Sequence, residues 1–154
     1  MDSAITKHQR NVATVLHVAA FSKYFFPLGN FIVPIIFWSI YKKESNFIDH
    51  HGKEVLNFQL SLLCYRIAGA MLLFPVSFIF GMHHFNTWDF FHFNNININF
   101  SDGFYLHHAS FIGILAGLGH LLLFAVNIAY TIIAAMKANE GEHYTYPFTF
   151  RFIK

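Results

Sequence analysis

From residue 53 to 80, and again from 107 to 136, the chain stays apolar for longer than the ~20 residues a helix needs to cross a hydrocarbon layer. Past Glu54 the first run carries Arg66 as its one charged side chain, and the second carries no Asp, Glu, Lys or Arg. Backbone groups in lipid have only one another to bond with, so runs of this length fold as helices. Composition agrees. Only 12% of the 154 residues are charged, against roughly 25% in soluble domains, while 55% are hydrophobic and 21 are Phe. Lipid is the expected solvent, and one membrane domain over residues 1–154 is the expected organisation.

Ahead of the long runs lie two shorter apolar arms, 11–26 and 31–41, separated by Phe26, Pro27, Leu28, Gly29 and Asn30. Pro27 and Gly29 so close together break a helix and permit a reversal. Arms of about 15 residues fall short of a full crossing. Two short spans, a re-entrant hairpin and a single kinked helix are the three ways to use them. Charge placement excludes the third. The connector 42–52 is basic, with Ser45 and Asn46 placed to start a short interfacial helix around His50. The loop 81–106 has no Lys or Arg, whereas the tail 137–154 carries Lys137, Arg151 and Lys154. If the arms return to their starting side, eight of the ten basic residues fall on one side, Lys23 and Arg66 excepted. Three crossings would break the positive-inside rule. The expected fold is therefore all-α: a polytopic four-helix membrane bundle in the bacterial inner (cytoplasmic) membrane, with both termini cytoplasmic. Its parts are a short N-terminal hairpin, spans 53–80 and 107–136, and an outer loop 81–106.

Several function classes lack their parts. A net charge of +2 with no basic block gives nucleic acid no electrostatic footprint. Cys64 is the single cysteine, so there is no disulfide framework and no thiolate metal site; a small buried core residue is its expected role. Three of the histidine pairs, 50–51, 83–84 and 107–108, are adjacent and so point about 100° apart on a helix, a poor geometry for one shared ion. His17 and His120 facing each other as axial haem ligands is a separate reading. No Ser/His/Asp grouping, no intramembrane carboxylate pair and no phosphate-cradling glycine loop occurs. No enzyme activity, cofactor or metal is expected.

The polar residues of the spans need partners. Arg66 lies about 13 residues into its helix, ~20 Å from the inner end at 1.5 Å per residue. There an arginine costs roughly 2.5–3.5 kcal/mol on insertion scales. Either it snorkels to the outer headgroups, or its counter-charge comes from outside the chain: cavity water, a lipid phosphate or another polypeptide. Glu54, Asn57, Ser61, Cys64 and Ala68 share one helical face at spacings of three and four, with Gln59 and Arg66 on roughly the opposite face. The last span puts Gly113, Gly117, His120, Phe124, Asn127, Thr131 and Ala134 along one stripe, with Gly113 and Gly117 forming a close-approach pair. His17 adds a polar group to the first arm. These stripes read as packing faces with polar glue, worth ~0.6 kcal/mol per bond, or as the lining of a polar pathway. The alternating aromatics around Tyr146 and Arg151 suit either an extended docking strip at the inner interface or an amphipathic tail resting on the headgroups.

Residues 47–59, reading Phe-Ile-Asp-His-His-Gly-Lys-Glu-Val-Leu-Asn-Phe-Gln, resemble the signature of a bacterial membrane family of unknown function. That family is related to the twenty-kilodalton subunit of the chloroplast inner-envelope protein-import translocon. His17 matches a histidine in that family's first helix; Pro34, Trp38 and Lys42 match its second arm; Gly141, Tyr146, Pro147 and Arg151 match its terminal segment. The resemblance implies a four-helix membrane domain beside protein-conducting machinery. The expected function is thus a non-enzymatic accessory subunit of an inner-membrane complex associated with protein translocation. Its expected partners are the bilayer and another membrane protein or a second copy of the chain. A small channel or carrier lined by Asn57, Ser61, His120 and Asn127 is the alternative, and a haem or metal-binding subunit the third.

Overall fold

The computed structural model describes the backbone of residues 5–82 and 103–154, and the side chains of 5–75, 111 and 113–154. Most of the expected outer loop, 81–106, lies outside those residues. The order is α1 (Lys7–Val18), a 3-10 turn (Ala19–Tyr24), α2 (Gly29–Tyr41), α3 (Asn46–Met82), α4 (Gly103–Glu140) and an extended tail. The all-α expectation holds. α3 and α4 each contain a stretch long and apolar enough to cross a membrane, Asn46–Pro75 and Gly113–Glu140.

Each boundary has a local cause. Thr6 opens α1 with a capping box: its hydroxyl accepts the Gln9 N–H at 3.3 Å and the Gln9 side-chain oxygen accepts the Thr6 N–H at 3.0 Å. The reversal after the 3-10 turn uses Leu28 in the left-handed region (φ 61°). Gly29 follows because a Cβ there would run into the Ser22 carbonyl. α4 ends in a Schellman motif: Gly141 (φ 84°) donates to the Ala138 carbonyl at 3.1 Å and Glu142 to that of Lys137 at 2.9 Å.

Several boundaries differ from expectation: the arm expected at 11–26 is α1 followed by the 3-10 turn, α4 runs beyond 107–136 at both ends, and the largest difference is at the start of α3. The sequence predicts a short helix around His50 and a separate span from residue 53, but α3 is continuous from Asn46. Ser45 caps it, accepting the Ile48 N–H at 3.2 Å. Asp49 and Lys53 pair one turn apart across the expected break. Gly52, the residue that invites a break, is buried against the Trp38 ring with no space for a side chain. Close packing on α2 requires glycine here without interrupting the helix.

The chain divides into two compact units. The first comprises residues 1–64 and 124–154 and is built around α3, whose residues 54–59 are all buried. Val12 and Leu16 of α1 pack on Ile48, with Phe37, Trp38 and Tyr41 of α2 closing over them. Ala13, Phe47 and Ala138 bring α1, α3 and α4 together. Ala20, Val55 and Leu56 meet Trp38 and the tail residue Ile153. The second unit, residues 65–123, carries the later part of α3 and the earlier part of α4. Ile67, Met71, Leu72, Phe74, Ile114, Leu115, Leu118, Leu121 and Leu122 are exposed there. So much open apolar surface is what lipid-facing helices present and is far more than a water-soluble monomer tolerates.

Candidate functional site

The interior of the first unit is unusually polar. His17, His51, Glu54, Asn57, Gln59, Ser61, Asn127 and Thr131 are all buried. Most of the α3 members lie on one stripe at helical spacing (51, 54, 57 or 58, 61), and what fills that stripe is the C-terminal tail.

α3 supplies side chains and the tail supplies backbone. His50 Nε2 lies 3.3 Å from the Tyr144 carbonyl, and His51 Nε2 3.2 Å from that of Glu142. Glu54 accepts the Tyr146 N–H at 3.1 Å. The tail turns through Phe148 (φ 55°), and Phe150 donates its N–H to the Ser61 hydroxyl at 2.8 Å. It then doubles back to Asn57, whose Oδ1 accepts from Phe152 at 3.0 Å and Ile153 at 2.8 Å, while Nδ2 donates to the Ile153 carbonyl at 3.0 Å. An extended segment has no helix or sheet partner for its backbone groups, and unpaired ones are costly when buried. About three turns of α3, from His50 to Ser61, provide those partners.

Tyr146 anchors the arrangement. It is 2% exposed and its ring stacks on Phe58 at 4.1 Å between centroids. Its hydroxyl lies 2.9 Å from His17 Nδ1, and His17 Nε2 lies 2.8 Å from His51 Nδ1. The proton positions follow from the far end. The Glu142 carbonyl can only accept, so His51 Nε2 carries the hydrogen and, in the neutral ring, Nδ1 is bare. His17 Nε2–H therefore donates to His51, His17 Nδ1 is bare, and Tyr146 O–H donates to it. One directed chain, Tyr146 to His17 to His51 to the Glu142 carbonyl, ties α1, α3 and the tail together. Burial holds His17 well below the ordinary imidazole range, and the neighbouring His51 and His50 push the same way. Burial raises Tyr146 well above the usual phenol range, with Tyr144 adding to it. His143 is lowered by burial and by His50.

A second junction lies at Gln59. Its Oε1 accepts from Asn30 Nδ2 of α2 at 3.0 Å and from Asn127 Nδ2 of α4 at 3.2 Å, joining three helices through one oxygen. The expected placement of Gln59 with Arg66, away from the packed face, is thereby corrected: Gln59 is 2% exposed. Seven residues is two turns along α3, enough to pass from the packed unit into the open one. Arg66 is exposed and makes no hydrogen bond or ion pair among the described residues.

The other expected residues are placed as follows. Glu54, Asn57, Ser61, His17 and Tyr146 come together at the tail; Thr131 is fully buried one turn from Asn127. His120 is exposed, so the His17–His120 pairing does not form: both ring nitrogens of His17 are taken by Tyr146 and His51. Gly113 and Gly117 are exposed, and among the described residues nothing lies within 4 Å of an added Cβ. Cys64 is exposed rather than buried, and so is Arg151. Among the described residues, no group of three or more His, Cys, Asp or Glu could hold a metal ion. His51 and Asn30 were missed by sequence reasoning. The available signal for His51 was its place three residues before Glu54, on the same stripe.

The magnetosome magnetite crystal formation protein family (MamF_MmsF) matches residues 8–153. The chain belongs to that family. No curated protein and no solved structure matches it. Membership overturns the resemblance to the translocon-related family, which rested on a short signature and scattered positions, whereas the match runs through both helical arms, both spans and the tail. The translocation-associated subunit falls with it, as do the channel and haem readings. The geometry agrees on the last two: Asn57 and Ser61 are engaged by the tail rather than lining a path, and His17 is not free to ligate iron. With two candidate spans and this family, the chain is a membrane protein, and the family points to the magnetosome membrane.

Proposed function

We propose that this chain is a magnetosome-membrane protein that acts in magnetite crystal formation, without catalysing a reaction of its own. The family match over residues 8–153 carries the reading. The fold is consistent with a scaffolding part. Most of its buried polar groups bond to one another or to the tail, which fixes shape at the membrane surface and leaves no assembled set of reactive groups among the described residues.

Topology follows from length and charge. α2 has 13 residues, ~20 Å at 1.5 Å per residue, short of the ~30 Å hydrocarbon layer. The α1–α2 hairpin is therefore re-entrant, only α3 and α4 cross, and both termini share the basic, cytoplasmic side. The single membrane domain presents its outer apolar helices to lipid. Arg66 takes its anion from outside the chain, from a lipid phosphate or a neighbouring membrane protein, a second copy included.

Deleting the gene in a magnetite-forming bacterium that carries it tests the proposal. The expected result is crystals of altered size or shape by electron microscopy, restored by the full chain. A fluorescent fusion should align with the crystal chains. Unchanged crystals together with a fusion spread over the whole cell envelope reject the reading.

A further inference from the structure

The geometry points to an acid-operated latch: protons taken up at the His17–His51 pair release the C-terminal tail, residues 142–153, from α3 while the helices stay packed. This inference rests on the hydrogen-bond chain alone and stands independently of the role in crystal formation.

Three observations carry it. First, in the chain from Tyr146 to the Glu142 carbonyl no imidazole nitrogen is free to take up a proton. Each bare imidazole nitrogen, His17 Nδ1 and His51 Nδ1, is already receiving a proton from its neighbour. A proton added to His51 Nδ1 faces the His17 Nε2–H across 2.8 Å. The pair can relieve that clash only by reversing His17, which turns an N–H onto the Tyr146 hydroxyl and leaves a cation in the interior. Second, His17 and His51 are both 0% exposed, so water cannot solvate that cation while the tail is docked. Third, the contacts that the pair orders are those of the tail itself: the Tyr146 hydroxyl at one end and the Glu142 carbonyl at the other.

The surrounding charges act in the same direction. From α3, His50 stands edge-on to His51 at 5.6 Å between centroids, and from the tail His143 lies 6.1 Å away; both oppose a cation at His51. Glu54 of α3 is the nearby buried carboxylate, and it is engaged by the Tyr146 N–H. The Glu142 carboxylate is turned to Lys137 at 2.9 Å. Tyr144 and Tyr146 of the tail, both raised by burial, are neutral in this range. α1 contributes His17 itself. Opening the tail exposes both imidazoles to water, where the ordinary value is ~6.5. A buried, depressed histidine stabilises the docked state fully above that value, and the contribution is lost as pH falls towards the depressed one. Acid therefore favours release.

The test is amide hydrogen exchange on the full-length protein in detergent micelles at about pH 7.5 and about pH 5, either side of the free imidazole value, with rates corrected for intrinsic chemistry. Protection at Tyr146, Phe150, Phe152 and Ile153 should fall at least ~10-fold in acid, a change of about 1.4 kcal/mol, while α1 and residues 54–59 keep theirs. His17→Gln combined with His51→Gln should make tail protection independent of pH. Imidazole nitrogen NMR of wild type supplies a readout that needs no variant: both rings should be neutral with Nε2 protonated while the tail is protected, and become cationic together with its release. Flat wild-type protection overturns the latch. So does an equal loss in the double variant, a loss spread over all helices, or imidazolium forming under a still-protected tail.

Discussion

Gly52 of α3 lies flat against the indole of Trp38 from α2, so close that no side-chain carbon fits between them. That indole is also tied to α3 by its N–H, which donates to Asp49 at 2.9 Å, and Lys42 sits over its ring at 4.7 Å. Gly52→Ala must push the two helices apart or rotate Trp38 out of its bonds. The expected cost is about 1–3 kcal/mol, typical of overpacking. Gly69→Ala, on the same helix with nothing within 4 Å of the added carbon, should instead be neutral or gain up to ~1 kcal/mol from helix propensity. Equal melting temperatures for the two variants in detergent would remove the close approach from the account.

Asn57 does more for the tail than any other side chain on α3, making three bonds to Phe152 and Ile153. Asn57→Leu keeps the volume roughly constant and leaves two N–H groups and one carbonyl without partners. Because the tail is half-exposed and water can reach a freed strand, the loss is local release, about 2 kcal/mol. Carboxypeptidase should trim the variant ~10-fold faster or more, with helix content unchanged by circular dichroism. Ser61→Ala, which loses one bond to the tail, should show a smaller effect of the same sign. Trimming at the wild-type rate would mean the tail is held by something else.

The stripe that holds the tail was legible in the sequence, and its occupant was not. Glu54, Asn57 and Ser61 at spacings of three and four announce a polar face on a helix entering lipid, which must be satisfied. Pattern alone leaves open whether another helix, water or an extended strand satisfies it. The bonds go to backbone groups, and every residue except proline has the same N–H and C=O, so the tail carries no matching polar code. The Gln59 junction was hidden for a related reason. Asn30, Gln59 and Asn127 lie on three helices, and only the crossing geometry brings them to one point. Arg66 is the conspicuous charge of the spans, yet the buried run of α3 ends at Leu62, before it is reached. The helical arms, the reversal at Pro27 and Gly29 and the two long spans came from length, charge and breakers, which act locally and leave their mark in order along the chain.

The Gln59 junction predicts non-additivity. Gln59→Leu removes the oxygen that accepts from both Asn30 and Asn127 and leaves the buried Asn127 amide and the half-buried Asn30 amide without that partner, at about 1–3 kcal/mol for a group that water cannot reach. Adding Asn127→Leu removes one of those stranded groups. The double variant should therefore cost less than the two single changes summed, by about 0.5–3 kcal/mol, in denaturant or thermal unfolding of the detergent-solubilised protein. Strict additivity would show that the shared oxygen does not couple α2 and α4 through α3.

Tyr146 supplies the alkaline counterpart of the latch. Its phenol is held well above the usual range by burial first and by Tyr144 second, and Tyr144 is itself raised by burial and by Tyr130. For an acid whose docked-state value is raised, the stabilising contribution is complete below the free value of ~10 and is lost as pH rises through the docked one. The ionised phenolate could no longer donate to His17 Nδ1 and would face the Glu54 carboxylate nearby, so the tail must leave before Tyr146 ionises. Tyrosinate absorbance should then show an ordinary step followed by a late one, with the late step coinciding with loss of tail protection. Tyr146→Phe preserves the stacking on Phe58 and should abolish most of that late step, leaving the smaller delay of half-buried Tyr144. A late step that survives intact in the variant would place the buried phenol elsewhere and break the chain of bonds at its first link.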